Sequence, residues 1–226
     1  MIPIGWHGKL PTVGDFATRR LDADFVQHWD DWLSDGLERL RQARPGGWLD
    51  DYLASPLWRF LLLPGALPGP LSDQTWTGVL MPSVDRVGRY YPLTLAAPLP
   101  GWPGDDAEAQ ALWSWLLRLE EAAADALHED WSIEALEREL ARVGGVPALR
   151  GRLPALGPAP DATTVQTVAL TGGAQAAGFF AVEAAIAAEA SVRGRCFWYS
   201  QADLAAPRFL CSQGLGRAGL VAALFA

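Results

Sequence analysis

The sequence WTGVLMPSVDRVGRYYPLTL fills positions 76–95 and decides the fold. Two apolar runs rich in β-forming residues flank a polar insert, which Pro82 opens and Gly88 interrupts. This pattern is typical of two buried strands joined by a shaped connection. Charged side chains on a short connection between core strands suit recognition better than packing. The insert carries three of them: Asp85, Arg86 and Arg89.

Outward from this segment, predicted strands and helices alternate along the chain. An amphipathic helix is predicted from its N-cap at Asp22 to about Arg41, because its apolar side chains recur at helical spacing. Residues 57–63 form an apolar run, broken only by Arg59, that periodicity leaves open as a strand or a helix end. Further strands are predicted at 2–6, 75–81, 90–96, 163–170, 195–200 and 208–211. Further helices are predicted at 48–53, 105–128, 132–143, 179–190 and 217–225.

Alternating strands and amphipathic helices predict an α/β protein, in which helices cover a mostly buried sheet. At 226 residues, half of them hydrophobic, the chain has ample material for one large core. Residues 144–162 are rich in Gly and Pro and mark the best candidate boundary, either a mobile connection or an ordered surface wrap. The piece beyond it is short. We therefore expect a single domain over 1–226, with the later strands completing the first sheet.

Charge and composition exclude several function classes. The net charge of −8 leaves no broad basic footprint for nucleic acid or anionic lipid. The N-terminus lacks the pattern of a secretory leader, and the most apolar later stretch, 176–190, is interrupted by Glu183 and Glu189. We therefore expect a cytoplasmic protein without membrane insertion. The two cysteines, Cys196 and Cys211, lie in strand-like runs, and we expect buried free thiols.

The sequence does not match the residue spacing of the familiar catalytic and metal-binding motifs. Gly8-Lys9 resembles the end of a phosphate-binding loop, but that loop needs Gly where Pro3 stands and Ser or Thr where Leu10 stands. Ser83 lacks the glycines that flank a hydrolase nucleophile. None of the three histidines belongs to a metal-ligand spacing. We therefore expect no catalytic residue, no metal site and no cofactor.

Three long strings carry a family resemblance: GWHGKLPTVGDFATRRL near the start, WLDDYLASPLWRFLLLPG after the first helix, and the stretch at 76–95. Together, and in this order, they resemble the TagF family of type VI secretion accessory regulators. The resemblance implies a three-layer α/β sandwich, with a central mixed sheet and helices on both faces. It also implies a non-enzymatic repressor, which restrains secretion after translation by contacting the apparatus's forkhead-associated scaffold protein. Its oligomeric state is left open.

Two polar loops, 8–20 and 82–91, hold the candidate site. In one interpretation Asp85 pairs with an arginine of either loop, and the ion pairs fix the loop geometry. In the other, the charged groups make charge-assisted contacts with a protein partner. The alternative function is an enzyme with an unrecognised anion-binding site between the loops, with Asp85 as base and Arg86 or Arg89 as anion clamp. The candidate partner-binding residues are Lys9, Asp15, Arg19, Arg20, Asp85, Arg86 and Arg89.

Overall fold

The computed structural model describes residues 2–151, 166–169, 193–201, 206–216 and 219–225. The chain forms two compact units. The first unit comprises Met1–Leu21 and Trp76–Leu153, and the second comprises Asp22–Thr75 and Pro154–Ala226. That a single domain spans 1–226 stays a prediction.

Strands and helices alternate as the sequence predicts. The described strands are β1 Gly5–Gly8, β2 Ala17–Arg19, β3 Trp58–Leu62, β4 Thr75–Met81, β5 Leu93–Leu99, β6 Gln166–Ala169, β7 Arg195–Ser200 and β8 Arg208–Gln213. The described helices are α1 Ala23–Ala43, α2 Trp48–Ala54, α3 Asp106–His128, α4 Ile133–Val143 and α5 Gly219–Phe225, with a 3-10 turn at Gly69–Leu71. None of these helices combines the length and the apolar character that crossing a membrane requires.

The first unit has the strand order β2-β1-β5-β4. β1 lies between two antiparallel neighbours, with Trp6 opposite Arg19 of β2 and opposite Leu95 of β5. α3 packs against β5 and against α4. The Ser132 hydroxyl caps the start of α4, and Gly144, with a φ of +77°, follows its end. Both helix ends are those that the sequence predicts.

The second unit has the strand order β3-β7-β8-β6, with antiparallel pairing at each step. Phe60 of β3 is opposite Trp198 of β7, and both rings pack against Trp29 of α1. α1 begins after its N-cap Asp22 and packs against α2 and α5. Most of the apolar stripe predicted for this helix is buried: Phe25, Trp29, Leu33, Gly36, Leu37 and Leu40. Trp32, predicted to belong to the same stripe, is half-buried.

The predicted α/β sandwich is confirmed, and the strand pairs described for the two units refine its mixed sheet to antiparallel pairing. The ambiguous run at 57–63 contains β3, whose five residues are all buried. A strand buried on both faces has a continuous apolar run instead of alternation, which explains the ambiguity. The sequence does not predict β2, because this strand has three residues and follows a stretch of turn formers. The helix predicted at 179–190 lies outside the described residues.

The described part of the Gly- and Pro-rich connection, 144–151, is an ordered wrap on the first unit. Val146 is 5% exposed, and its N–H donates to the carbonyl of Ile2 at 3.1 Å. Gly151 pairs with Trp102, whose N–H donates to the Gly151 carbonyl at 3.0 Å. Of the two alternatives for the connection, the wrap therefore holds for these residues. The rest of 144–162 lies outside the described residues.

Candidate functional site

The bases of the two polar loops are held together by β1 and β5, which are neighbours in the first unit. Gly8, the last residue of β1, has a φ of +136°, and a Cβ added there would lie 2.2 Å from the carbonyl oxygen of Pro92. Glycine alone permits this approach of two backbones. The Ser83 hydroxyl adds a further connection, because it donates to the Lys9 carbonyl at 2.8 Å. Each loop therefore positions the other.

Asp85 is the centre of the contacts between the loops. Its Oδ2 accepts from Lys9 Nζ at 2.6 Å and from Arg89 Nε at 2.7 Å. Its Oδ1 accepts from the backbone N–H of Val87 at 3.0 Å and from that of Arg89 at 2.9 Å. The side chains of Lys9 and Asp85 are buried. Each carboxylate oxygen thus has two donors, and the ion pair with Lys9 is removed from water.

The chemistry of Asp85 follows from this arrangement. Burial by itself would raise its pKa, but the hydrogen bonds from Lys9, Arg89 and Val87 outweigh burial and hold the pKa well below its usual range. The carboxylate is therefore ionised at neutral pH, with donors on both oxygens. A general base needs room for the incoming proton and a pKa near the working pH. Asp85 offers neither, so the geometry does not support a role as catalytic base.

The two arginines of the second loop have different surroundings. Arg89 bonds Asp85 and also donates to the Gly14 carbonyl, so it ties the loops together although its side chain is 55% exposed. Arg86 is exposed, and its backbone N–H donates to the Val13 carbonyl at 3.1 Å. Within the described part of the chain, the Arg86 guanidinium makes no hydrogen bond or ion pair. Arg86 is thus positioned through its backbone while its charge faces outward.

Of the ion pairs expected for Asp85, the one with Arg89 forms, whereas the structure describes none with Arg86 or Arg19. Lys9 is the second cation bound to Asp85, because it directly follows β1 and is buried beneath the second loop. Arg86 follows Asp85 on the exposed side of the turn, and Arg19 is exposed on β2. The expected pairing of Asp85 with an arginine of either loop therefore forms through Arg89, and sequence reasoning misses Lys9 as the second cation.

Arg20 belongs to a second cluster, beside α4. Its guanidinium makes a bidentate ion pair with Glu137, and its Nε donates to the Ile4 carbonyl at 2.8 Å. The Trp6 indole donates to the same carboxylate. Burial would raise the pKa of Glu137, but the bonds from Arg20 and Trp6 outweigh it and lower that pKa. A groove of 280 Å³ opens beside this ion pair. The structure therefore brings Lys9, Asp85 and Arg89 together and places Arg20 in a separate cluster.

Sequence reasoning misses the aromatic side of the first loop. The ring centroid of Phe16 lies 4.7 Å from that of Tyr91, edge to face, and Lys9 Nζ lies 4.8 Å from the Phe16 centroid. The His7 ring stacks on Phe16 at 5.7 Å between centroids. Phe16 nevertheless stays 44% exposed, and Val87 in the second loop is 63% exposed. Their sequence signal is an apolar residue inside a polar loop, where core packing does not demand one.

The remaining candidates for a reactive site are metal ligands and the two cysteines. Among the described residues, no three or more His, Cys, Asp or Glu side chains are grouped as metal ligands. Both cysteines are free thiols: Cys196 is buried as predicted, whereas Cys211 is half-buried. Burial raises the pKa of the Cys196 thiol, which keeps it protonated and unreactive.

A family model described as the TagF N-terminal domain, type VI secretion system-associated, matches residues 5–143. The crystal structure of PA0076 from Pseudomonas aeruginosa PAO1 is similar to this chain, with 32% sequence identity and a TM-score of 0.71. That match covers 99% of this chain and 94% of the other. No curated protein matches significantly. The family match contains both polar loops and confirms the resemblance that the three sequence strings carry.

Proposed function

Because the chain belongs to the TagF family, whose N-terminal domain is associated with type VI secretion, we propose that it is a post-translational repressor of that secretion. It acts in the cytoplasm, by contact with another protein and without catalysis. Its partner is the forkhead-associated scaffold protein of the apparatus. The family match over residues 5–143 carries the proposal, because it spans both loops of the candidate site.

The state of Asp85 supports contact over catalysis. Its two oxygens are occupied by four donors, and three of these belong to the second loop itself. Such a carboxylate fixes the shape of the loop, whereas a catalytic acid or base has to exchange a proton with a substrate. A loop held in one shape loses little conformational freedom on binding, which favours recognition.

The candidate partner-binding residues accordingly have two roles in this proposal. Lys9, Asp85 and Arg89 hold the loops in place. Arg20 fixes the edge of the first loop against Glu137 of α4. The exposed members offer direct contacts to the partner, and these are Asp15, Arg19 and Arg86.

The proposal is tested in a cell with active type VI secretion. A tagged copy of the chain, purified from such a cell, should recover the forkhead-associated scaffold protein. Overproduction of the chain should lower the amount of a secreted substrate in the medium, while immunoblots show unchanged levels of the apparatus proteins. A fall in those levels would contradict post-translational action, and normal secretion under strong overproduction would contradict repression. Lowered secretion without recovery of the scaffold would contradict the choice of partner.

A further inference from the structure

Exposed apolar and cationic side chains belong to both polar loops, which meet at Gly14. We define the tip patch as Phe16, Arg86, Val87 and Arg89. Among the described residues, the large hydrophobic side chains that stand exposed are Phe16, Leu53, Val87 and Leu117. Two of these four therefore fall in the two loops of the candidate site, and Val87 is the most exposed of them, at 63%.

The two loops that carry the tip patch meet at Gly14. The Arg89 guanidinium donates to the Gly14 carbonyl, and Arg86 Nη2 lies 3.6 Å from the place where a Gly14 Cβ would stand. Phe16 follows two positions later in the first loop. The Arg86 guanidinium therefore lies beside the backbone of the first loop, close in sequence to Phe16.

The backbone beneath the tip patch is closed by its own hydrogen bonds. Asp85 N donates to the Arg89 carbonyl at 3.0 Å, and Gly88 N donates to the Asp85 carbonyl at 3.0 Å. The Asp85 carboxylate accepts from the backbone of Val87 and Arg89. Gly88 has a φ of +83°, a value that glycine adopts without strain. The patch is therefore presented in one conformation before any partner arrives, which reduces the entropy lost on binding.

We propose that the tip patch docks an acidic segment of the partner protein. An Asp or Glu carboxylate of that segment pairs with the Arg86 guanidinium, and a neighbouring apolar side chain packs on Val87 and Phe16. Charge complementarity carries this assignment, since Arg86 makes no ion pair with the described residues of a chain whose net charge is −8. The inference rests on the proposed function, because it assigns the surface through which the repressor contacts its scaffold partner.

The tip patch offers one uncommitted guanidinium group, which favours a carboxylate over a phosphate as the group that it binds. Arg89 already directs its guanidinium at Asp85 and Gly14, which leaves Arg86 as the uncommitted one in the patch. One guanidinium fork matches one carboxylate by two parallel hydrogen bonds. A phosphorylated residue carries a charge of about −1.5 to −2 at neutral pH and is typically bound by a cluster of arginines. The exposed apolar side chains of Phe16 and Val87 also suit a peptide better than an isolated anion.

The first test uses peptide probes and does not depend on the scaffold. The ¹H–¹⁵N spectrum of the wild-type chain is followed during titration with three synthetic peptides: one alternating Glu and Leu, one alternating Lys and Leu, and one with a phosphothreonine among neutral residues. The Glu–Leu peptide should shift the signals of Phe16, Arg86 and Val87, including Arg86 Nε–H, and the Lys–Leu peptide should leave them unchanged. No shift with the Glu–Leu peptide, or stronger binding of the phosphothreonine peptide, would overturn the proposal.

The second test measures the Kd for the purified scaffold protein by biolayer interferometry. Arg86→Ala and Val87→Ser should each weaken binding at least tenfold, as truncation of an interface anchor does. Arg142→Ala is the matched control, because Arg142 lies in the same unit with a side chain that is 78% exposed, and its Kd should match the wild type. Tight binding with both patch variants unaffected would overturn the tip patch while the proposed function stands. If the wild-type chain does not bind the scaffold, the proposed partner fails, and the peptide titration alone decides the patch.

Discussion

The Lys9 ammonium and the Asp85 carboxylate lie 2.6 Å apart, although 76 positions separate them in the sequence. Their side chains are 4% and 0% exposed, so the two charges have been taken out of water together. A buried ion pair is tolerated when its geometry is good and its other hydrogen-bonding atoms are satisfied, and the loss of one partner is strongly destabilising. The stability of the two loops therefore depends on this single pair more than on any exposed charge.

Neutralising Asp85 should lower the melting temperature of the protein. Asp85→Asn replaces one carboxylate oxygen with an NH₂ group, which is itself a donor. In one orientation this group faces the donors of Lys9 and Arg89, and in the other it takes the place of the oxygen that accepts from the backbone. Lys9→Met should have a smaller effect, because it leaves Asp85 with three donors, and the double variant should lose less than the sum of the two. Thermal unfolding followed by circular dichroism measures all three. Asp35→Asn, which alters an exposed ion pair of α1, is the control and should change little.

The stability of the protein should fall in acid through the same carboxylate. The pKa of Asp85 is lowered in the folded state, so its contribution is fully present above the unfolded value of about 3.9 and is lost as the pH drops below it. Melting temperatures measured between pH 6 and pH 2.5 should therefore decline most steeply below about pH 4. The Asp85→Asn variant should decline less steeply. Parallel curves for the two proteins would show that Asp85 does not carry this dependence.

The aromatic centre of the second unit should be sensitive to truncation. Trp29 is fully buried among Phe25, Phe60 and Trp198, with ring centroids 5.1 to 6.1 Å away. Trp29→Ala should lower the free energy of unfolding by about 3–5 kcal/mol, because it removes a large side chain and leaves a cavity. Urea unfolding measures the change. Ser34→Ala, on the exposed side of the same helix, should stay within about 0.5 kcal/mol.

Gly36 should resist replacement although it lies inside a helix. Glycine in a helix interior is about 1 kcal/mol less favourable than alanine. A Cβ at Gly36, however, would lie 2.3 Å from Cγ2 of Val221 in α5, and overpacking of this kind costs about 1–3 kcal/mol. The Val221 Cβ would also lie only 2.4 Å away, so the whole side chain opposes the new methyl group. We expect Gly36→Ala to be destabilising in the wild-type protein and stabilising when Val221→Gly has removed that side chain. The same sign in both backgrounds would contradict steric contact as the cause.

Local patterns in the sequence predict the helices and most of the strands. The stripe of α1, the cap at Ser132 and the strand 75–81 each follow from residues a few positions apart, where periodicity and capping act. The start of β5 was predicted at Tyr90 and lies at Leu93, because Tyr90 takes part in an isolated bridge with Val84 at the base of the loop.

The contacts of the site could not be predicted in the same way, because they join distant parts of the chain. Asp85 has several cations within reach of its loop, and no periodicity indicates that the buried Lys9 binds it in preference to Arg86. Arg19 and Arg20 are adjacent in sequence, yet Arg20, with a φ of +55°, binds Glu137 of α4. The pairing depends on which side chains the sheet of the first unit buries, and local sequence patterns do not carry that information.

The most direct test of the account measures secretion by cells that overproduce the chain. The wild-type chain and Arg142→Ala should both lower the amount of a secreted substrate, at unchanged levels of the apparatus proteins. Arg86→Ala should restore secretion while its melting temperature stays at the wild-type value, because exposed substitutions away from structural contacts change stability by less than about 0.5 kcal/mol. Normal secretion with the wild-type chain, or full repression by Arg86→Ala, would contradict the claim that the protein represses secretion through the tip patch.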